Sequence, residues 1–469
     1  MCYYNEFGKY GDKVAAVSSE GISITYRELE TYAKDIGEII PTRSLVFCFC
    51  KNVVGSMAGY LSFLYNRIVP LMIDMNIDET LAAQLMDIYQ PQYLYIPKEL
   101  RARYDSMELV SEGYDYCVLK TGYNKVYPLH DDLALLLTTS GSTGSPKLVR
   151  QSYRNIQSNA EAIVKYLEID DSERPVTTLP MNYTYGLSIV NSHVLAGATM
   201  LLTTSTIVAK EFWDFMKANK ATSFGGVPYT YEMLKRVRFF RMDLPDLRYM
   251  TQAGGKLAPE LHKEFAEYAM NKGKKFIVMY GQTEATARMA YLPADKALEK
   301  YGSMGIAIPG GRFDLVDVSG NIITEPELVG ELVYEGENVT LGYAECGDDL
   351  IKGDERNGRL ETGDMAKMDK DGFFFIVGRK KRFLKLFGNR INLDEIDRII
   401  KKEYPDLDCA SNGTDEMMNI YITDADYTEK VAALIGERTH INNRAFQVLV
   451  IDKIPRNEAG KTLYKELPQ

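Results

Sequence analysis

The sequence predicts an α/β protein with a large N-terminal domain and a small C-terminal α+β domain. Apolar runs typical of strands alternate with helical patterns, as where the strand-like Ile68–Ile73 precedes the helical Leu81–Tyr89. This alternation favours a largely parallel sheet covered by helices, with ligands at the carboxyl ends of its strands. Gly330–Tyr334 and the turn Lys370–Gly372 predict a smaller antiparallel sheet, and a compact mixed pattern restarts near Arg379.

The predicted domains are residues 1–378 and 379–469. The first would combine β-α subdomains with a β-rich subdomain. Within it, a strand at Gly21–Tyr26 leads into a helix that begins at Tyr26. Two further strands, Ser223–Val227 and Tyr249–Gly255, open into glycine-rich turns, where backbone can approach a ligand closely.

Composition describes an ordinary soluble protein. The 469 residues include 55 basic and 65 acidic side chains, a net charge of −10, and 45% are hydrophobic. No apolar run approaches the roughly 20 residues that a membrane span needs, and the acidic balance gives no basis for nucleic-acid binding. The N-terminus lacks a signal-peptide pattern, and the six cysteines show neither a disulfide framework nor metal-ligand spacing. A cytoplasmic location is predicted.

The segment Thr139–Lys147 has the properties of a phosphate-binding loop. It follows the buried strand Leu133–Leu137 and contains small hydroxyl residues, Gly141, Gly144 and a terminal lysine. Glycines let backbone N–H groups turn toward an anion, and Lys147 adds a positive charge. Pro146 precedes that lysine where a Walker loop requires glycine, which argues against a P-loop NTPase. A flexible linker is the alternative, although linkers seldom begin at a buried strand.

This loop, T-S-G-S-T-G-S-P-K, resembles the signature of the adenylate-forming superfamily of acyl-CoA synthetases, peptide-synthetase adenylation domains and luciferases. Further motifs of that superfamily follow in its order, so the resemblance covers nearly the whole chain. It implies ATP binding by the first loop, with Thr143 as a magnesium ligand and Lys147 as a catalytic cation. The implied ATP-binding residues of this loop are Thr139, Ser140, Gly141, Ser142, Thr143, Gly144 and Lys147.

The second motif, Tyr280-Gly-Gln-Thr-Glu284, resembles the family's Y-G-x-T-E segment beside the adenine and phosphates. Glu284 supplies a hard oxygen ligand suited to magnesium and is implied to be catalytic; as a plain alternative it is an acid at a helix N-terminus. The ATP-binding residues implied here are Tyr280, Gly281, Gln282 and Thr283. In the third motif, Thr362-Gly-Asp364, Asp364 would hold both ribose hydroxyls, although Leu360 and Glu361 replace the usual preceding aromatic.

The fourth motif, Gly378–Arg390, resembles the family's hinge segment. Arg379 would contact the ribose, Lys381 stands at the hinge position, and Gly388 lies on the loop implied to approach the thiol. The basic run at 379–382 is also compatible with a nucleic-acid patch, which the overall acidity disfavours. In the fifth motif, Pro455–Leu463, Lys461 is the implied catalytic residue that reaches the forming anhydride and the nucleotide.

A segment between the first two motifs, Pro180–Ser188, resembles the acyl-pocket segment of acyl-CoA synthetases. Tyr183 stands at the aromatic gate, and Thr184 replaces the aspartate that pairs with the ammonium of amino-acid substrates, which disfavours an α-amino acid because a buried ammonium needs a counter-charge. The residues implied to line the substrate pocket are Tyr183, Gly186, Gly225 and Gly255, and Gly254 and Gly255 are implied beside the nucleotide. Glycine pairs of this kind are equally common as plain turns.

These motifs together imply an ATP-dependent ligase. A carboxylic acid would react with ATP and Mg²⁺ to give an acyl-adenylate and pyrophosphate, after which the C-terminal domain would rotate and a thiol would displace AMP. Coenzyme A is the preferred thiol, because basic residues such as Lys380 to Arg382 match its phosphates. The alternative is the phosphopantetheine of a separate acyl carrier protein. A catalytically dead nucleotide-binding relative, and a kinase or ATPase that releases ADP, are the competing classes.

Overall fold

The computed structural model describes residues 3–138, 147–386, 389–414, 417–439, 445–456 and 462–468. The chain divides into two compact units. The first comprises Met1–Phe313 and Tyr334–Leu360, and the second comprises Asp314–Val333 and Glu361–Gln469. The second unit therefore includes strands that precede residue 379. The predicted division at 378/379, which marks the part expected to rotate, stays a prediction.

The strands and helices of the first unit alternate as the sequence predicts. Its earlier strands are Val14–Ser18 (β1), Ser23–Thr25 (β2), Leu45–Cys50 (β3), Val69–Asp74 (β4), Tyr93–Pro97 (β5), Glu108–Gly113 (β6), Tyr116–Lys120 (β7), Leu133–Thr138 (β8), Leu148–Ser152 (β9), Pro175–Val176 (β10), Met200–Leu202 (β11), Ser223–Gly226 (β12), Tyr249–Gln252 (β13), Lys275–Tyr280 (β14), Ala290–Tyr291 (β15) and Ile306–Ala307 (β16). Its helices are Tyr26–Ile39 (α1), Val54–Tyr65 (α2), Glu79–Tyr89 (α3), Tyr153–Leu167 (α4), Thr184–Leu195 (α5), Lys210–Ala218 (α6), Pro228–Arg236 (α7) and Pro259–Asn271 (α8).

The remaining strands and helices follow residue 311. The strands are Arg312–Val316 (β17), Ile322–Ile323 (β18), Val329–Glu335 (β19), Gly342–Ala344 (β20), Arg359–Met368 (β21), Phe374–Arg379 (β22), Phe383–Leu386 (β23), Asn389–Asn392 (β24), Cys409–Gly413 (β25), Met418–Ile422 (β26) and Phe446–Val450 (β27). The helices are Leu393–Glu403 (α9) and Thr428–Thr439 (α10). Among the described segments, none of these helices is long and apolar enough to span a membrane.

Two large sheets organise the first unit. Within the described residues, one has the strand order β20-β9-β8-β4-β3-β5-β7-β6 and the other β16-β15-β14-β13-β12-β10-β11-β1-β2. Strands β3, β4, β5 and β8 pair in parallel, as do β10 to β14. The prediction of a largely parallel sheet is therefore confirmed, and the antiparallel strands lie toward the sheet edges.

Helices α2 and α5 lie in the interior between the two sheets. All residues of α2 except Tyr65 are buried, and nearly all of α5 is buried as well. Both helices are buried around their whole circumference, as expected of helices packed on every side. The same core contains Cys48 from β3 and Ile277 from β14, so it joins both sheets. Cys48 and Cys50 share one face of β3, with their sulfurs 3.9 Å apart, because side chains two residues apart on a strand point the same way.

The second unit contains the smaller antiparallel sheet, which confirms that prediction. Its strand order is β18-β17-β19-β21-β22, and β21 pairs antiparallel with β22 through a turn in which Gly372 has φ of +83°. Further on, β25, β26 and β27 form a separate sheet that packs with α9 and α10 around an apolar core. The acidic start of α9 and its cap Asn392 favour helix formation at that point.

Arg150 of β9 is fully buried and anchors a late segment of the first unit. Its Nε donates to the carbonyl of Tyr343 at 3.0 Å and its Nη2 to that of Leu341 at 3.2 Å. Its Nη1 donates to the carbonyl of Gly353 at 3.2 Å, and Nη2 also pairs with Glu355. These hydrogen bonds fix β20 beside β9.

Replacing this guanidinium should destabilise the first unit. In Arg150→Met, the carbonyls of Tyr343 and Gly353 lose this donor and Glu355 loses its ion-pair partner, and each unsatisfied group costs roughly 1–3 kcal/mol. We expect the free energy of unfolding in urea to fall by about 3 kcal/mol or more. The control is Arg154→Met, on the exposed side of the neighbouring helix, which should leave the unfolding curve unchanged; equal curves for both variants would contradict the anchoring role.

Candidate functional site

The candidate phosphate loop connects two paired strands. All of β8 is buried except Thr138, which pairs with Leu148 of β9. The loop residues Thr139, Ser140, Gly141, Ser142, Thr143 and Gly144 lie outside the described residues, and Lys147 is the first described residue after them. The Nζ of Lys147 lies 3.8 Å from the ring centroid of Tyr343 and 3.6 Å from Oε1 of Glu345.

Tyr343 links Lys147 to the second motif. Its hydroxyl donates to Oε1 of Glu284 at 2.8 Å, and the guanidinium of Arg356 lies 4.7 Å from its ring centroid. Burial, reinforced by the Glu284 carboxylate, raises the pKa of Tyr343 to about 12, so the phenol remains a donor at neutral pH. Lys147, Arg356 and the Glu284 carboxylate therefore all contact Tyr343.

Glu284 fits the role of an oxygen ligand for magnesium. It lies in a single 3₁₀ turn, Thr283–Ala285, rather than at the start of an α-helix, so a helix dipole does not explain it. One carboxylate oxygen is oriented by Tyr343, and the other accepts no hydrogen bond from a described residue. An oriented carboxylate with a free oxygen suits a hard cation. The second predicted ligand, Thr143, lies in the loop outside the described segments.

The loop that carries Glu284 is held tightly by its neighbours. A Cβ on Gly281 would lie 1.5 Å from the carbonyl oxygen of Ala287, so only glycine fits there. The Gln282 amide donates to the hydroxyl of Tyr280 at 3.1 Å, and Thr283 is buried. The residues implied around the nucleotide in this motif therefore form one compact turn after β14.

The side chain of Asn338 and the backbone of Thr340 brace the same loop. The Asn338 amide donates to the carbonyls of Ala285 at 2.8 Å and Arg288 at 3.0 Å. Both the N–H and the hydroxyl of Thr340 donate to the carbonyl of Glu284 at 3.0 Å. The segment that precedes β20 therefore fixes the backbone around the candidate magnesium ligand.

Tyr183, at the predicted gate, lies over the glycine pair after β13. Gly254 has φ of +84°, and a Cβ there would lie 2.5 Å from the Tyr183 hydroxyl. Position 254 therefore requires glycine, both because its φ is positive and because a side chain would clash with Tyr183. At Gly255 a Cβ would lie 3.1 Å from Pro228. Burial raises the pKa of Tyr183 to about 12, which keeps this phenol neutral.

The other predicted pocket glycines serve close packing. A Cβ on Gly225 would lie 2.8 Å from the Tyr185 hydroxyl, so Tyr185 occupies the space that this glycine leaves. A Cβ on Gly186 would lie 2.3 Å from the carbonyl oxygen of Pro180, which brings α5 close to the chain before it. Gly225 and Gly186 are thus each packed closely against the segment that begins at Pro180, and Tyr185, which the sequence did not single out, occupies the space beside Gly225.

In the second unit, the two residues implied to contact ribose face each other. Asp364 and Arg379 are directly paired across β21 and β22, and Nε of Arg379 lies 2.7 Å from Oδ1 of Asp364. Asp364 is buried, so the ion pair fixes the direction of its carboxylate. Gly388 and Lys461 lie outside the described residues, and of Lys381 only the backbone, in a 3₁₀ turn, is described.

The basic run at 379–382 is largely neutralised by acids. Lys380 pairs with Glu331 at 2.6 Å, and the buried Arg382 pairs with Asp394 and Asp397, both at 2.7 Å. Neither side chain is available as an open phosphate contact in this arrangement. The expectation that Lys380 to Arg382 serve the phosphates of coenzyme A therefore loses its support, because acidic neighbours already occupy two of these cations.

Tyr343 and Arg356 were not predicted from the sequence. Both come from a segment without a recognisable motif. Tyr343 reaches the site because β20 pairs with β9, with Tyr343 opposite Val149, and Arg356 donates to the carbonyl of Glu284 at 3.3 Å. A tyrosine within a three-residue strand carries no signal of its own. Only the pairing across the chain identifies it.

Comparisons with known proteins identify the family of this chain. The family model of the AMP-binding enzymes matches residues 5–344. The 2-succinylbenzoate–CoA ligase of Oceanobacillus iheyensis is 26% identical over 97% of this chain and 96% of its own length. The peroxisomal OPC-8:0-CoA ligase 1 of Arabidopsis thaliana is 27% identical over 72% of this chain, and the match spans only 64% of that enzyme.

Among solved structures, the fold matches O-succinylbenzoate coenzyme A synthetase from Bacillus subtilis in complex with AMP. The TM-score is 0.81 at 19% identity, covering 100% of this chain and 98% of that one. The same enzyme has also been solved with ATP and a magnesium ion. The shared fold has the large α/β domain and the small C-terminal domain that the sequence predicts. With a family match over more than half of its length, this chain belongs to the AMP-binding enzyme family.

Proposed function

We propose that the protein is an AMP-forming acid–thiol ligase. It would convert a small carboxylic acid and ATP into an acyl-adenylate and pyrophosphate, and then transfer the acyl group to the thiol of coenzyme A. The observation that carries the proposal is the cluster of Lys147, Tyr343 and Glu284 beside the ends of β8 and β14. Family membership and the CoA ligases among its relatives support the same reaction.

The charges of the site suit the first half-reaction. A carboxylic acid with a pKa of about 4–5 is ionised at neutral pH, so it attacks the α-phosphorus without a general base. The obstacle is the approach of two anions, and the site must neutralise the charge that develops on pyrophosphate. Lys147 supplies a cation at the end of the phosphate loop, and Lys461 is proposed to contact the α-phosphate.

Magnesium would be held by Glu284 and Thr143. When bound, it would neutralise phosphate charge beside the loop. Tyr343 orients one oxygen of Glu284 for this role, and Arg356 adds positive charge at the same ring. Asp364 and Arg379, already paired with each other, are proposed to hold the ribose.

The second half-reaction requires a change of arrangement. We propose that residues 379–469 rotate about Lys381, withdrawing Lys461 and bringing the Gly388 loop toward the thiol. The phosphopantetheine of a separate acyl carrier protein remains the alternative acceptor. A cytoplasmic location, where ATP and coenzyme A are available, stays the prediction from the sequence.

The test is pyrophosphate and AMP formation from ATP and Mg²⁺ across a panel of carboxylic acids, with and without coenzyme A. Acid-dependent AMP that rises with coenzyme A would support the proposal. Acid-dependent pyrophosphate without stimulation by coenzyme A would favour a carrier protein. ADP instead of AMP, or nucleotide binding without turnover of any acid, would refute the ligase assignment.

Removing the Tyr343 hydroxyl should weaken the use of magnesium and ATP. In Tyr343→Phe the ring beside Lys147 and Arg356 remains, but Glu284 loses the hydrogen bond that orients it. A hydrogen bond to a charged group contributes roughly 1.5–3 kcal/mol, so we expect the KM for Mg·ATP to rise about tenfold or more. The exposed Tyr301→Phe is the control. An unchanged KM and magnesium dependence in Tyr343→Phe would contradict this positioning role.

Lys461→Ala should separate the two half-reactions. Removing a cation that acts only on the phosphate step should lower acid-dependent pyrophosphate release about 100-fold or more. Thioester formation from a preformed acyl-adenylate and coenzyme A should continue at close to the normal rate. The control is Lys453→Ala, an exposed lysine of the same C-terminal segment. Equal loss of both half-reactions would contradict the assigned role of Lys461.

A further inference from the structure

Arg288 is a buried cation with only neutral neighbours. It lies four residues after Glu284, and 2% of its surface is exposed. Its Nε donates to the hydroxyl of Ser188 at 3.1 Å and its Nη1 to the hydroxyl of Tyr166 at 3.0 Å. Its guanidinium carbon lies 5.1 Å from the ring centroid of Tyr185. The side chain is thus held by polar and aromatic groups, none of which carries a charge.

The other buried arginines differ from Arg288 in this respect. Arg150 pairs with Glu355, and Arg382 pairs with Asp394 and Asp397. Among the residues that the structure describes, no carboxylate pairs with Arg288, and its Nη2 donates to none of their atoms. A buried charge without a counter-charge is costly, so this guanidinium requires a negative partner that the described residues do not supply.

The titratable groups around Arg288 cannot provide that charge. Burial raises the pKa of both Tyr166 and Tyr185, so these phenols stay protonated. The nearby His193 bonds the hydroxyl of Tyr249 at 3.0 Å, and burial, with a smaller contribution from Arg288, lowers its pKa to about 3. Burial also raises the pKa of Tyr249. All four groups are therefore neutral around pH 7, and the charge of Arg288 is uncompensated by them.

The backbone holds Arg288 next to the candidate site. Its carbonyl accepts from the amides of Asn159 at 2.8 Å and Asn338 at 3.0 Å. A Cβ on Gly281, within the candidate nucleotide loop, would lie 3.0 Å from the Cα of Arg288. On its other side, Tyr185 fills the space above Gly225, where the substrate pocket is predicted. The guanidinium is therefore fixed between the nucleotide loop and the predicted acyl pocket.

We propose that Arg288 binds a second anionic group of the acid substrate, distinct from the carboxylate that is activated. The inference rests on the proposed ligase function and narrows its substrate class to acids with two negative groups, such as dicarboxylates. A guanidinium with a free Nη2 is suited to a carboxylate or sulfonate, which it can bind through two N–H groups. An acid with an apolar end would leave the charge unpaired and would be discriminated against.

The test compares acids that differ only at the distal group. Malonate, succinate and glutarate are matched with propanoate, butanoate and pentanoate, in which a methyl group replaces the distal carboxylate, and terephthalate is matched with 4-methylbenzoate. The distal sulfonate is represented by 3-sulfopropanoate. The readout is kcat/KM for acid-dependent pyrophosphate release. We expect at least one dianion to exceed its methyl partner about 100-fold.

The matched variant is Arg288→Met, which keeps the length of the side chain but removes its charge. We expect it to lose about 100-fold for the preferred dianion and to leave or raise the value for the methyl partner, whereas Arg288→Lys should retain part of the preference. The exposed Arg154→Met is the control. An equal loss for both members of the pair in Arg288→Met would overturn the inference, because it would indicate a purely structural role. If Arg288→Met does not fold, the ratio of kcat/KM for the dianion to that for its methyl partner is measured in Arg288→Lys instead. An unchanged ratio in that variant would overturn the inference.

The outcomes separate this inference from the ligase proposal. If acids release pyrophosphate but the wild type prefers the methyl partners, the ligase function stands and the role of Arg288 is refuted. If no acid releases pyrophosphate, the ligase proposal fails. Calorimetric titration of the same dianions into the wild type and Arg288→Met then tests whether Arg288 binds an anion. Binding that the variant loses would support the site, and no binding to the wild type would refute it.

Discussion

The hydrogen bond between Tyr343 and Glu284 is the interaction on which the candidate site depends. It joins the turn after β14 to β20, and the pairing of Ala344 with Leu148 brings Lys147 to the same ring. The fully buried Arg150 holds this pairing from the neighbouring strand. Three segments that are distant in sequence therefore depend on one another for their positions. A shift of β20 would displace the Glu284 carboxylate and Lys147 together.

The sequence predicted the parts of the site that are continuous in the chain. The strand Leu133–Leu137 and the turn around Gly281 carry local patterns, because a strand that ends in glycines or a charged turn is specified by neighbouring residues. The pairing of Asp364 with Arg379 across β21 and β22 is seen only in the structure. The large parallel sheets and the small antiparallel sheet were predictable for the same reason. Alternation of strands and helices is encoded locally.

The side chains that the sequence did not indicate depend on contacts between distant segments. Tyr343 is positioned by a strand of three residues, too short to carry a periodic signal. In the sequence Arg288 is indistinguishable from other basic residues. The structure distinguishes it, because hydroxyls and aromatic rings surround the guanidinium instead of a carboxylate. The basic run at 379–382 suggested cations available to phosphates. The structure pairs two of them with Glu331, Asp394 and Asp397, which lie outside that run and could not be recognised as partners from the sequence.

Arg150, Arg288 and Arg382, the buried arginines among the described side chains, represent two different uses of the same side chain. Arg150 and Arg382 pair with internal acids and also donate to backbone carbonyls, several for Arg150 and that of Ser411 for Arg382, so their burial fixes neighbouring segments. Arg288 is equally buried and hydrogen bonds hold its backbone, yet no described carboxylate pairs with its guanidinium. Charges of this kind lower the stability of the free protein, and natural proteins retain such unfavourable groups where function requires them.

The position of β20 also affects how the chain folds during synthesis. Strand β9 ends at Ser152, whereas its partner begins only at Gly342. At a synthesis rate of 5–20 residues per second, about 10–40 s separate the two strands. During that interval the backbone edge of β9 has no partner from β20, and an unpaired edge is a template for association with other chains. The nascent first sheet therefore passes through a period in which a chaperone, or the ribosome itself, would need to keep that edge covered.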